Sequence, residues 1–156
     1  ATVLTPPVWA VPFDAGEEVA PCRADQIAVS ASPTQGAVGH RSVTLVFTLA
    51  GGAVPCTLTG YPEVDSGAGS PSIHAELTLR GDMGGLPATS DVPPTVTLSL
   101  TEQAQAVVEA IAVSDGGDQC PTYTDLRVNP PGTVFVFTVP VTVDACHLQV
   151  HPVIAG

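Results

Sequence analysis

Residues 42–49 read Ser42-Val43-Thr44-Leu45-Val46-Phe47-Thr48-Leu49, and this stretch decides the fold class. Val43, Leu45, Phe47 and Leu49 fall on one side of an extended chain, and Ser42, Thr44 and Thr48 on the other. Successive side chains of a strand point to opposite faces, so period two marks a half-buried strand. The pattern recurs on both sides of this segment. It is seen in Ile27, Val29 and Ala31, and in Val96, Leu98 and Leu100. Ile73, Ala75, Leu77 and Leu79 are expected to face inward, with His74, Glu76 and Thr78 outward. In residues 146–153, Leu148 and Val150 alternate with His147, Gln149 and His151. Residues 133–139 (TVFVFTV) are apolar on both faces, the signature expected of a central strand.

Residues 102–113 (EQAQAVVEAIAV) carry two readings. Ala, Gln and Glu favour a helix. Ala104, Ala106, Val108, Ala110 and Ala112 also alternate, and strand neighbours favour a strand for the later part. Gly51-Gly52, Ser66-Gly67, Gly84-Gly85, Gly116-Gly117 and Pro130-Pro131-Gly132 punctuate the segments as turns. Long loops are expected at 60–72 and 80–94. Together these features indicate an all-β chain: an immunoglobulin-like antiparallel β-sandwich of about seven to nine strands with two disulfides. Residues 1–20, with Pro6, Pro7, Pro12 and the acidic Asp14, Glu17 and Glu18, read as an extended arm anchored by Trp9 and Phe13. Residues 21–156 read as the sandwich domain.

Length and charge bound the function. A chain of 156 residues is one domain, and folding buries about two-thirds of its surface. Fifteen acidic residues oppose four basic ones, all Arg, for a net charge of −11. Nothing here neutralises a run of phosphates or an anionic lipid surface, so nucleic acid is not an expected partner. No apolar run reaches the 18 or so residues that span a bilayer. No basic-then-apolar leader is present, which fits a secreted precursor that has lost its leader or an anchor lying outside this sequence.

The cysteines are Cys22, Cys56, Cys120 and Cys146. An even number in a small, charge-poor chain fits two disulfides and an oxidising compartment. Gaps of 34, 64 and 26 residues lack the close pairs of a zinc knuckle. Three pairings are possible, and the shorter loops favour Cys22–Cys56 with Cys120–Cys146. Val19-Ala20-Pro21 before Cys22 is a poor context for a lipid-bearing cysteine.

These cysteines stand among further shared features. They include Pro55-Cys56-Thr57-Leu58-Thr59-Gly60-Tyr61-Pro62, Cys120-Pro121, Leu126-Arg127-Val128 with Pro130-Pro131, and Cys146 with Leu148, Val150 and Pro152. The chain thereby resembles a domain-of-unknown-function family of exported actinobacterial envelope proteins, many lipid-anchored or membrane-tethered, over about residues 21–153. The resemblance implies an extracytoplasmic β-sandwich with its cysteines in disulfides, and it implies no reaction. Val107, Val108 and Ile111 stand where such domains often carry an aromatic residue. Gly60-Tyr61-Pro62 reads as a structural corner, with ligand stacking on Tyr61 as the second reading.

Few residues suggest chemistry. His147 and His151 share a strand face but lie about 13 Å apart, too far to chelate one ion by themselves. His40 or His74 would have to join across strands, and Met83 is the only thioether. Asp115-Gly116-Gly117-Asp118 reads as a hairpin turn, and Asp82 and Asp91 flank another loop; neither has calcium-loop spacing. Gly67-Ala68-Gly69-Ser70 is not a nucleophile elbow. We therefore expect no catalytic residues, no metal and no cofactor. The expectation is an exported, non-catalytic envelope module for protein interaction or structure. The other reading is a carrier of an apolar or lipid ligand, which would require a continuous apolar cavity of several hundred Å³.

Overall fold

The computed structural model describes residues 19–67, 72–81, 83–114 and 116–156, Ala37 by its backbone alone. The arm anchors Trp9 and Phe13, the acidic Asp14, Glu17 and Glu18, and Ser70, Asp82 and Asp115 lie outside the described residues.

The alternating segment around Leu45 becomes the long strand β3 (His40–Leu49), with Val43, Leu45 and Phe47 buried. It lies between β1 (Ile27–Ala31) and β8 (Ala104–Ile111), antiparallel to both. β2 (Gln35–Ala37) folds back on the start of β3. β8 continues the sheet to β11 (His147–Val150), and β6 (Glu76–Leu77) closes that side by pairing parallel to β11. β12 (Ile154–Ala155) pairs with the start of β8.

The segment with two readings is thus a central strand. Leu45 stands opposite Ala106, and Phe47 opposite Ala104, so small residues of β8 accommodate large ones of β3. Two flanking strands satisfy the β8 backbone on both edges, and this tertiary pairing overrides the helix preference of Ala, Gln and Glu.

The opposing layer comes from two smaller sheets. β9 (Thr122–Asn129) lies between β5 (Glu63–Ser66) and β10 (Phe137–Asp144), and β4 (Cys56–Thr59) pairs with β7 (Thr95–Leu98). Val64, Tyr123, Leu126, Val128 and Val139 from one, and Leu58, Val96 and Leu98 from the other, enter the same core as Leu45, Phe47 and Leu148. Each fully buried Leu or Phe contributes about 1.5–3 kcal/mol of apolar transfer free energy.

The all-β sandwich with two disulfides is therefore present, with differences in detail. Twelve strands appear among the described residues rather than seven to nine, because several are two or three residues long. One pair, β6 with β11, is parallel. Part of the expected 60–72 loop is β5, held to β9 through Glu63↔Asn129 and Val64↔Val128. Leu77 is exposed, because β6 holds the sheet edge over only two residues, and Leu79 is half-buried. Leu100 is 92% exposed: Ser99 and Glu102 bond each other across a turn, so the strand stops at Leu98.

The largest correction concerns residues 133–139. The strand starts only at Phe137, and Val134, Phe135 and Val136 are 97%, 54% and 49% exposed. β9 ends at Asn129, and the residues after it are Pro130 and Pro131, which have no N–H to donate. The apolar run therefore outlasts its partner strand, and being apolar on both faces does not make it central.

Candidate functional site

Both disulfides tie strand ends to neighbouring segments. Cys22–Cys56 joins the segment before β1 to β4, and Cys120–Cys146 joins the starts of β9 and β11. Around the first, Cys22 N–H donates to Thr57 O (2.9 Å) and Thr57 N–H to Ala20 O (3.0 Å), so the entering chain runs beside β4. These are the pairings of the two shorter loops, and no cysteine is left free. Arg23, beside Cys22, pairs with Asp25 on the surface.

The histidines part company. His74 bonds Asp65 (2.6 Å) and His147 lies 3.5 Å from Glu76, both at partly exposed positions. His40 and His147 flank Ile111 in one cross-strand row, on either side of β8. The branched Ile111 side chain stands between them, and among the described residues no three His, Cys, Asp or Glu side chains gather as a metal site.

His151 corrects the sequence reading. It was expected to be an exposed strand histidine, yet it is fully buried, as is nearly all of Glu109. Its Nε2 meets the Glu109 carboxylate, and its Nδ1 lies 3.1 Å from Thr78 O and 3.0 Å from Thr78 Oγ1. A hydrogen bond joins Nε2 to the Glu109 carboxyl group, and Nδ1 faces both the Thr78 carbonyl, which accepts, and the Thr78 hydroxyl, which can donate or accept.

Alternation does place His151 and Glu109 on the outer face of the large sheet, but a strap formed by residues 78–81 and 83–91 covers that face. Arg80 organises the strap, donating to Leu86 O (3.2 Å), Pro87 O (3.2 Å), Ser90 O (2.6 Å) and Asp91 Oδ1 (2.8 Å). Gly81 lies directly on the Glu109 carboxylate, and Gly84 on Val107, where a Cβ would overlap both side chains. Those two glycines are the sequence signal for a close approach over the sheet.

Thr78, His151 and Glu109 form a hydroxyl–imidazole–carboxylate chain, with Thr78 half-buried at the start of the strap and His151 and Glu109 buried beneath it.

Tyr61, half-buried after Gly60 (φ 104°), lines an open groove of about 430 Å³ with Glu63, Leu77 and residues 129–133. The fully buried tyrosine is Tyr123, which no local sequence signal distinguished. Other grooves, of about 340–380 Å³, run along β7 and residues 99–103 and beside Gly51-Gly52; they are open and bordered largely by Thr, Ser, Gln and Gly. The acidic turn at 114–118 closes on itself through Gly117 N–H to Ser114 O (2.9 Å) and Asp118 N–H to Ser114 Oγ (3.1 Å).

Among the described residues, the longest run of consecutive exposed large apolar side chains is in the hairpin after β9. Val134, Phe135 and Val136 project there, and Phe135 meets Phe137 edge-on at 5.0 Å. With its amide nitrogen turned toward acceptors, Asn129 donates to Thr133 O (2.9 Å) and Phe135 O (3.2 Å), which fixes the hairpin.

A stapled all-β sandwich, closed over its one buried ionisable pair and open only in surface grooves among the described residues, defines a class of small disulfide-bonded all-β domains. Within that class, a family model described as "Domain of unknown function (DUF4232)" matches residues 22–153, and the chain belongs to this family. No curated protein and no solved structure is matched by the chain.

Proposed function

We propose that this domain works outside the cytoplasm as a non-catalytic interaction or structural module of the cell envelope. The observation that carries this reading is the Val134-Phe135-Val136 projection, three adjacent apolar side chains presented to solvent on a rigid, disulfide-bonded frame. Apolar side chains exposed in a group, rather than scattered singly, point to an interaction surface. Two disulfides fit an oxidising compartment, and no helix among the described residues is long and apolar enough to cross a membrane. Burial of His151 and Glu109 beneath the strap supports a structural rather than a catalytic role for this chain of polar groups. The grooves near Tyr61 and along β7 are open and partly polar, so they offer little to an apolar cargo.

The test is site-specific photo-crosslinking in the producing cell, with a photoreactive residue at position 135 and, as control, at the exposed Thr59. Discrete protein adducts at 135 and none at 59 are expected. Equal, diffuse labelling at both positions would refute the reading, as would turnover of an ester, peptide or glycoside that disappears on replacing His151.

A further inference from the structure

We propose that Cys146 is a thiol-exchange site, at which an external thiol forms a mixed disulfide and the buried Cys120 leaves as a free thiol. The two disulfides sit in opposite settings. Cys22 and Cys56 are 4% and 0% exposed, so both halves of that bridge lie in the core. Cys120 is 2% exposed, whereas Cys146 stands exposed at the surface. Exchange requires a thiolate to reach one sulfur in line with the bond that breaks, and access decides which sulfur is attacked. With Cys120 inside and Cys146 outside, the open line of approach ends on Cys146.

The incoming thiolate bonds to Cys146 Sγ, the Cys120–Cys146 bond breaks, and its electron pair goes to Cys120 Sγ. The incoming sulfur is oxidised and Cys120 is reduced. The proton given up by the incoming thiol reaches Cys120 through water. A neutral thiol suits that position, because a free cysteine behaves as a small apolar side chain. Cys120 can attack the mixed disulfide in return and expel the thiol, so the change is reversible.

The surrounding backbone holds both cysteines in place without the bridge. Cys120 N–H donates to Ala112 O (3.0 Å), Ala145 N–H to Pro121 O (2.9 Å) and Cys146 N–H to Ile111 O (2.8 Å). β11 stays in its ladders with β8 and β6, and β9 keeps β5 and β10 on its flanks. What opens is a covalent tie between β9 of the three-stranded sheet and β11 of the large sheet. The buried bridge fastens the segment before β1 to β4 and is out of reach of the same reagent. One staple is therefore exchangeable and the other permanent, whatever the domain binds.

The test starts from the native, oxidised chain. It is incubated with the neutral monothiol 2-mercaptoethanol, alkylated with iodoacetamide and mapped by peptide mass spectrometry. One mercaptoethanol adduct is expected on Cys146, with Cys120 alkylated and Cys22–Cys56 intact. With dithiothreitol in its place, Cys120 and Cys146 should be alkylated at least about tenfold faster than Cys22 and Cys56, while the far-UV circular dichroism of the oxidised chain is retained. An adduct on Cys120, equal rates at the two bridges, or loss of the dichroism in step with opening of the bridge would each overturn the proposal. Two variants separate access from exchange. Cys120→Ser leaves Cys146 free, and it should react with iodoacetamide at least about tenfold faster than the Cys120 left free in Cys146→Ser. Comparable rates in the two variants would also overturn it, and the wild-type adduct map decides alone if either variant does not fold.

Discussion

Replacing Glu109 tests the reading of the buried pair most directly. Glu109→Ala removes the carboxylate and leaves His151 Nε2 facing an apolar void at a fully buried position. Breaking a buried ion pair from one side costs about 3–5 kcal/mol when the remaining group stays charged. A neutral imidazole with one unsatisfied nitrogen costs about 1–3 kcal/mol. Glu109→Gln should lose much less, because a glutamine amide can accept from Nε2–H through its oxygen or donate to Nε2 through its NH₂, whichever nitrogen of the neutral ring carries the hydrogen. We therefore expect a loss of about 2–5 kcal/mol for the alanine variant and under about 1.5 kcal/mol for the glutamine variant. The assay is equilibrium urea denaturation with disulfides intact, read by far-UV and near-UV circular dichroism to check two-state behaviour. A second substitution gives an independent check. Gly81→Ala pushes a methyl group into the Glu109 carboxylate and should cost about 1–3 kcal/mol. In the Glu109→Ala background that cost should largely vanish, because the space is vacated, giving a favourable coupling energy. If Glu109→Gln is as damaging as Glu109→Ala, or if the two alanine substitutions are simply additive, the hydrogen-bonded buried pair under a close-packed strap is wrong.

Other expectations follow from the same structure. Alkylation without reductant should label none of the four cysteines, and replacing either disulfide by two alanines should cost about 3.5–4 kcal/mol from loops of 34 and 26 residues, measured by urea midpoint. Arg80→Ala removes the donor that gathers Leu86, Pro87, Ser90 and Asp91; amide exchange across 80–91 should accelerate at least tenfold while the β3 and β8 amides keep their protection. Phe47→Ala should cost about 3–5 kcal/mol by thermal or urea melts, because Phe47 is fully buried in the central sheet. A loss below about 1 kcal/mol would place Phe47 outside the core.

Local pattern settled much of this protein. Alternation at Val43, Leu45 and Phe47 requires an extended chain with one buried face, whatever lies beyond it, because side-chain direction in a strand is set within two residues. The same rule put Ala104, Ala106, Val108 and Ala110 on one face of β8, and even the count and spacing of cysteines bounded the staples. What alternation cannot report is what covers a face or flanks an edge. His151 lies on the outer side of its strand, as its position suggests, yet it is buried because the Arg80 strap crosses above it, some 70 residues earlier in the chain. Val134, Phe135 and Val136 have the composition of a central strand, yet they stand in solvent because β9 ends at Asn129 before reaching them. Burial and pairing depend on which distant segment arrives alongside. That is decided by the assembled sheets, and it turned an ordinary surface histidine into a buried partner and an apparent core strand into an open edge.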